Sequence, residues 1–586
     1  MTPSTTPNIV FILIDDMGWT DLSCMGSTFY ETPNIDSIAR DGMRFIDAYA
    51  ACPVCSPTRA SIMTGKYPAR IGVTNYIGAR RETGRVIVPN YTPYLPLEEK
   101  CIAKALKEGG YRTYHVGKWH LGDEPYWPEH HGFDVNIAGC HWGAPAHGYF
   151  SPYHNPRLED GPRREYLTDR LTDEAIKLIK ENGDEPFFLN MCYYAVHIPI
   201  QVPKPYKDKY KEKAIKLGLD KKKTFEDGEP FPCEHKKDMR VRRRLLHSDP
   251  AYAGMIEKLD ENIGRLMQAI KDTGKEKDTI VFFFSDNGGL STAESAPTCN
   301  FPLSNGKGWM YEGGTRDPLL IKWPGVIKPG TECTIPVTST DFYPTMLQLA
   351  GLPLIPEQLC DGTSLIPIIE GKELEDRAIF WHYPHYGNQG GTPGSSIRLG
   401  NYKLIEFLED GHLELYNIKN DISEKNDLVA EKSDIAKKLK KMLDEWRDDV
   451  KAKFPEPNPD WPYYMFKHFL RLDYPLLLDE NGIVCLKMPF SFHNPELYEV
   501  PLSDLLDFYL EKPIVVEIEG VKRQCVLITG QDGTLLLKAE SMVKPEPFKN
   551  LVKDLVGGFM SLRAWKSEDK EPEYEVRIKK IEDPTL

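Results

Sequence analysis

The 586-residue sequence predicts a layered α/β protein built on a mainly parallel or mixed central sheet. Three observations carry that reading. Residues 8–14 (Asn-Ile-Val-Phe-Ile-Leu-Ile) and 279–285 (Thr-Ile-Val-Phe-Phe-Phe-Ser) are short apolar runs, as expected of strands buried on both faces. Each run stops abruptly in polar residues, Asp15-Asp16 after the first and Asp286-Asn287-Gly288-Gly289 after the second. Between them strand-like and helical segments alternate, which is the pattern of βα units.

The length implies two or three domains. Composition shifts place them at 1–372, 373–455 and 463–586, with a proline-rich linker before the last. Hydrophobic residues make up 41% and charged residues 27% of the chain, ordinary values for a globular protein. No apolar run approaches the roughly 20 residues a membrane helix needs. The formal net charge of −14 argues against general nucleic-acid binding. Twelve scattered cysteines exclude a disulfide-stapled scaffold and give little support to a structural zinc site. As written, the N-terminus lacks a leader pattern and reads as cytoplasmic, or as periplasmic or secreted if a leader was removed.

Taken in order, the first strand delivers Asp15 and Asp16 to its C-terminal end, where open α/β sheets place their ligands. Adjacent carboxylates are unfavourable without a neutralising cation, so a hard divalent metal is their natural partner. A helix over 35–41 and a strand over 43–49 follow. The chain then reaches Cys52-Pro53-Val54-Cys55-Ser56-Pro57-Thr58-Arg59, with Thr64-Gly65 closing the segment. Pro57 suits the first turn of a helix. Cys55 would then sit at a helix N-terminus that welcomes an anion, with Arg59 one turn on. Three readings stand open for Cys55: an anion-site residue, half of a C-x-x-C redox or zinc site, or a buried small hydrophobe.

A helix over 97–107 and a strand over 111–116 lead into Gly117-Lys118-Trp119-His120-Leu121-Gly122, which brings Lys118 and His120 to a strand end. A helix over 168–180 and a strand over 186–196 deliver His197. Residues 204–247 are rich in lysine and arginine and read as a solvated face, with attraction of an anionic polymer second. A long helix over 250–273 precedes the 279–285 strand. Asp286 and Asn287 complete an oxygen-only ligand set with Asp15 and Asp16, which favours calcium or magnesium over zinc. Lys307 opens Lys307-Gly308-Trp309-Met310-Tyr311-Glu312-Gly313-Gly314-Thr315-Arg316-Asp317-Pro318. A helix over 340–350 follows. Strands over 378–383, 397–407 and 413–418, with an Asp410-Gly411 turn, and a charged helix over 432–450 form the second domain. Beyond the linker, 514–518 and 525–529 are β-like.

The C-x-P-x-R…T-G, G-K-W-H-L-G, S-D-N-G-G and K-G-x-x-x-E-G-G-x-R-x-P strings, with the Asp15-Asp16 strand end, resemble the sulfatase family over residues 8–450. The resemblance implies an alkaline-phosphatase-like α/β fold with a smaller C-terminal α+β subdomain, and leaves the last region as an addition of unknown role. It implies oxidation of Cys55 to formylglycine by a maturation enzyme, and a calcium ion, in preference to magnesium, held by Asp15, Asp16, Asp286, Asn287 and the modified Cys55. Carried over, Cys55 is the nucleophile and Asp286 takes the proton of the attacking hydroxyl. Arg59 and Lys118 orient and neutralise, and His120 helps expel sulfate. His197 and Lys307 meet the sulfate and its bridging oxygen, with His197 the acid for the leaving alcohol. Asp317, where the family often has a small apolar residue, reads as distant from this chemistry.

For the substrate, His141, Trp142, His382, His385 and Arg398 read as groups at a pocket mouth able to stack on or bond to a sugar. The expected partner is a sulfated glycan or small sulfate ester, with an exo-acting galactose-type 4-O-sulfatase the specific expectation. The alternatives are a phosphodiesterase or phosphonate monoester hydrolase of the same superfamily, a non-catalytic calcium-dependent glycan-binding protein, and a C-x-x-C oxidoreductase.

Overall fold

The computed structural model describes residues 6–458, apart from 237, 238, 356 and 357, and beyond 458 only the backbone of strands between 476 and 578. The chain divides into two compact units. One comprises Met1–Arg81, Val88–Gly228 and Val241–Pro455, the other Glu82–Ile87, Glu229–Arg240 and Glu456–Leu586.

The first unit is organised by an eight-stranded sheet. Its order is Thr331–Cys333, Met43–Phe45, Leu319–Lys322, Thr279–Ser285, Asn8–Ile14, Phe187–Cys192, Arg112–Gly117 and Val135–Ile137. Asn8–Ile14 lies at the centre, parallel to Thr279–Ser285 on one side and to Phe187–Cys192 on the other. Leu319–Lys322 runs antiparallel to both of its neighbours, so the sheet is mixed. Alternation along the central strand explains why it is apolar from Ile9 to Ile14. Ile9, Phe11 and Leu13 face one core with Ile62, Ile102 and Phe342. Val10, Ile12 and Ile14 face the other with Ile38, Leu171 and Ile256. Helices therefore cover both faces, and a strand buried on both sides has no place for a polar residue until it ends.

The strand of 279–285 and the helix starting at Pro250 form at the expected boundaries, and that helix runs to Asp272. Its N-cap is Asp249, whose carboxylate accepts from the Ala251 and Tyr252 amides, an arrangement that satisfies two otherwise orphaned donors. Residues 43–49 instead divide into Met43–Phe45 in the large sheet and Ala48–Tyr49, which pairs with Val337–Thr338. The 397–407 run is a hairpin, Gly394–Leu399 and Tyr402–Phe407, turned at Gly400 with φ 55°. The basic stretch carries a helix, Lys204–Lys216, and two strands, Phe225–Pro230 and Arg240–Arg244. Several of its cations are matched locally: Lys209 and Lys213 pair with Glu31, and Arg242 stacks on Phe225.

A four-stranded antiparallel sheet, Ile379–Tyr383, Gly394–Leu399, Tyr402–Phe407 and Leu413–Asn417, closes the first unit. The helix Ser433–Asp449 packs on it through Leu439, Leu443 and Trp446 against Ile397, Leu404 and Leu415. In the second unit Val86–Ile87 pairs with Glu456–Pro457, and a six-stranded antiparallel sheet includes Pro513–Ile518 and Val521–Thr529, where the β-like runs were expected. The helical part expected of 463–586 lies outside the described residues.

Candidate active site

Register places the site. Ile14 pairs with Ser285, and Leu13 and Gly117 both pair with Cys192. The next residues, Asp15, Asp286 and Lys118, therefore leave neighbouring strands at one edge of the sheet. Backbone bonds hold them there: the Asp286 amide donates to Ile14, and the Lys118 amide to Cys192. Gly117 is needed for this packing, because a Cβ there would lie 1.8 Å from the Cys192 carbonyl oxygen.

Cys55 opens the helix Cys55–Thr64, all ten residues of which are buried. Its Sγ lies 3.3 Å from His120 Nδ1. The other nitrogen of that ring, Nε2, is 2.8 Å from the Ile77 carbonyl. A carbonyl only accepts, so Nε2 carries the hydrogen and Nδ1 presents a lone pair to residue 55. Burial, followed by the Lys118 charge, holds His120 well below the ordinary imidazole range, which keeps the ring neutral. Asp16 and His120 both adopt left-handed backbone, with φ of 62° and 58°, a conformation that non-glycine residues seldom take outside sites that require it.

Three carboxylates and three cations fill the pocket. Lys118 Nζ is 2.7 Å from Asp15 Oδ2, Lys307 Nζ 2.7 Å from Asp16 Oδ1, and Arg59 Nη2 2.8 Å from Asp286 Oδ2. Arg59 also donates to the Lys118 carbonyl at 2.9 Å, which ties the Cys55 helix to the strand end. Burial raises Asp16, but Lys307, then His197 and Lys118, outweigh it and hold the carboxyl well below its ordinary value. Burial raises Asp15 and Asp286, and in Asp286 the neighbouring Asp15 adds to it. His197 sits with Nε2 3.6 Å from Asp16 Oδ2. Its Nδ1 is 2.8 Å from the Ile198 carbonyl and donates to it, which leaves Nε2 as the nitrogen facing the pocket. Burial pulls its pKa down to about 4, against the opposing pull of Asp16.

The donor set fits a hard cation. Asp15 Oδ1 and Asn287 Oδ1 are buried acceptors with no hydrogen-bond partner, while Asn287 Nδ2 donates to Asp16 Oδ1 at 2.9 Å. Two orphaned oxygens beside carboxylates leave an energetic debt that a cation would cancel. With the carboxylates already matched by Arg59, Lys118 and Lys307, a divalent ion would leave the pocket with an excess of positive charge, as an anionic substrate needs.

All the residues expected at the metal and sulfate positions thus converge. Those expected at the pocket mouth do not share one environment. His141 is exposed and Trp142 half-buried, their rings 6.4 Å apart. A Cβ on the adjacent Gly143 would lie 2.5 Å from the His120 ring, so this loop lies over the site. His382 is buried between Ser395 Oγ at 2.7 Å and the Lys453 carbonyl at 2.9 Å. His385 is buried on Thr74 Oγ1 at 2.9 Å. Arg398 pairs with Asp47 at 2.5 Å and bonds to the Tyr49 hydroxyl. Internal partners account for these three side chains as packing groups.

Two features escaped the sequence. The Ile77 carbonyl sets the His120 tautomer, and a backbone oxygen leaves no residue signature. Asp317 is fully buried, and burial followed by the Asp286 charge raises its carboxyl well above the ordinary range. It therefore lies within electrostatic reach of the site, correcting the expectation that it is remote from the chemistry. Cys52 is buried without a disulfide, and burial drives its thiol upward, the opposite of what a redox cysteine requires.

Comparison with known proteins identifies the family. The sulfatase family model matches residues 7–352, and the model of the C-terminal part of N-sulphoglucosamine sulphohydrolase matches residues 305–449. A sulfatase of Formosa agariphila is 33% identical over 525 residues, covering 75% of the chain and 88% of the relative. Human arylsulfatase A is 32% identical over 437 residues, covering 69% of the chain and 75% of the relative. Among solved structures, that of Ps i-CgsB in complex with k-i-k-neocarrahexaose is 29% identical with a TM-score of 0.62, covering 79% of this chain and 98% of that one. A cysteine facing a neutral histidine, cations arranged for an anion, and family matches over most of the first unit lead to one assignment: the chain belongs to the sulfatase family and is a sulfuric ester hydrolase.

Proposed function

We propose that the chain is an exo-acting carbohydrate sulfatase that removes a 4-O-sulfate from a galactose-type sugar, using formylglycine made from Cys55 and a calcium ion. The observation that supports this best is the placement of Cys55 against the His120 lone pair, beside the orphaned Asp15 and Asn287 oxygens. Formylglycine would supply a hydroxyl nucleophile at position 55, and calcium held by Asp15, Asp16, Asp286 and Asn287 would polarise the sulfate.

The remaining chemistry belongs to the chain's own side chains. Lys118 and Lys307 neutralise the sulfate oxygens. Asp286, clamped by Arg59, accepts a proton from the residue-55 hydroxyl. His120 Nδ1 takes the second proton when sulfate departs, which its neutral tautomer permits. His197 Nε2 donates to the leaving alcohol, and an adjacent sulfate anion raises the proton affinity that burial has lowered. A carbohydrate substrate is supported by the k-i-k-neocarrahexaose in the Ps i-CgsB complex and by Trp142, a partly exposed ring whose neighbour Gly143 lies against His120. The maturation enzyme is then a necessary partner.

The test is a panel of sulfated mono- and oligosaccharides given to matured protein, with an aryl sulfate and an aryl phosphonate alongside. The expected result is fastest turnover of a terminal galactose 4-sulfate. Turnover of the aryl sulfate with no activity on any sulfated sugar would end the carbohydrate assignment, and preference for the phosphonate would end the sulfatase chemistry.

A further inference from the structure

Within the second unit, Glu82, Cys233 and His235 bring one oxygen, one sulfur and one nitrogen donor within 4.8 Å of one another. Among the described residues only one other group of three such donors gathers this closely, Asp15, Asp16 and His197 of the catalytic pocket. The residues of the Glu82 cluster come from two stretches about 150 positions apart in the sequence, so no local spacing announces it.

The local fold explains the convergence. The strands Phe225–Pro230 and Arg240–Arg244 pair in a two-stranded sheet, and the Phe231 amide donates to the Met239 carbonyl at 3.0 Å. A single 3-10 turn, Glu234–Lys236, follows Cys233, and the Lys236 amide donates to the Cys233 carbonyl at 3.3 Å. Cys233 and His235 thus sit on one tight turn. Cys233 is 1% exposed. His235 Nδ1 lies 2.5 Å from Glu82 Oε2, with side-chain exposures of 26% and 12%, so the cluster runs from a buried sulfur to a solvent-facing imidazole.

We infer that Glu82, Cys233 and His235 form a second metal site, one that takes a zinc-class ion with a water as fourth ligand. The mixed sulfur, nitrogen and oxygen set is one that zinc accepts and calcium does not. Binding exchanges the Cys233 S–H bond for a zinc–sulfur bond and releases the proton to solvent, with no change of oxidation state. Burial, then Glu82, push the metal-free thiol up to about 12, so that proton is present to be released. The ion would fasten the segment at Glu82 to the turn at Cys233, a structural role separate from catalysis.

The experiment is a titration of the full chain with cobalt(II), read by absorbance, in a Cys55→Ala background so that the catalytic-pocket thiol contributes nothing. The expected result is a near-ultraviolet thiolate-to-cobalt band that saturates at one equivalent and disappears when zinc is added. Cys233→Ser, added to that background, should abolish the band, and His235→Gln should weaken cobalt binding about tenfold or more. Circular dichroism of the metal-free variants checks that they remain folded, and Glu82→Gln serves as the ligand test should Cys233→Ser not fold. Absence of the band in the Cys55→Ala protein, its persistence in folded Cys233→Ser, or an undiminished cobalt affinity in folded His235→Gln or Glu82→Gln, would overturn the assignment.

Discussion

His120 shows how a residue's chemistry is decided by neighbours that have no motif. Its ring is legible in the Gly117–Gly122 string, but the Ile77 carbonyl and the buried setting make it a neutral acceptor facing Cys55. Cys55 opens a helix, and Asp15, Asp16, Asp286 and Lys118 follow strands with a strong local pattern, so the sequence places them at element ends; Lys307 lies in a loop and is reached only through its glycine-rich string. His382, His385 and Arg398, expected at a pocket mouth, each meet internal partners, and a sequence does not show which aromatic and cationic side chains find them. A kinetic contrast follows. Lys307→Ala and Lys118→Ala should each lower kcat/KM by about 10²–10³-fold, the scale of losing one preorganised charge contact in a buried site. Trp142→Ala should act mainly through KM on sugar substrates. His382→Ala should instead lower thermal stability by about 1–3 kcal/mol, because it removes a buried ring that bonds both Ser395 Oγ and the Lys453 carbonyl, with KM unchanged. Steady-state kinetics and melting curves on the same variants separate the two classes.

At the scale of elements, boundaries were legible where an apolar run is bounded by charge, as at Asn8–Ile14 and Thr279–Ser285. They failed where tertiary bonds redirect the chain. The 43–49 segment breaks because Asp47 turns to meet Arg316 at 2.7 Å and Arg398 at 2.5 Å, a demand imposed by residues about 270 and 350 positions away. The Asp410-Gly411 turn was legible, and it carries a titration. His412 Nδ1 is 2.6 Å from Asp410 Oδ1, and the ring stacks on Phe407. Burial lowers its pKa, but the bond to Asp410 and the nearby Glu414 carboxylate outweigh it and raise it to about 9. A histidine raised above its unfolded value near 6.5 stabilises the fold fully below that value and loses the contribution as pH rises through about 9. Unfolding free energy should therefore fall by about 1–3 kcal/mol between pH 6.5 and 9, and His412→Asn should flatten that slope in denaturant titrations at stepped pH.

For the whole molecule, the sheet was legible because its strands are apolar and its helices amphipathic. The division into two units was not, since Glu82–Ile87 and Glu229–Arg240 group with the C-terminal chain through contacts that leave no local signal. No helix among the described residues is long and apolar enough to cross a membrane. The orphaned Asp15 and Asn287 oxygens make a global prediction. Calcium should stabilise the protein by about 2.7 kcal/mol at a free concentration a hundredfold above its Kd. Scanning calorimetry with and without chelator should show a higher melting temperature with calcium, and Asp286→Asn should remove most of the difference. The most direct test of the account is sulfate release by matured protein and by Cys55→Ala, measured by ion chromatography alongside the mass of the peptide that carries residue 55. The account predicts sulfate release only where that peptide has the mass of formylglycine, and none from Cys55→Ala. Release at the parent rate by Cys55→Ala, or by protein whose residue 55 is an unmodified thiol, would contradict it.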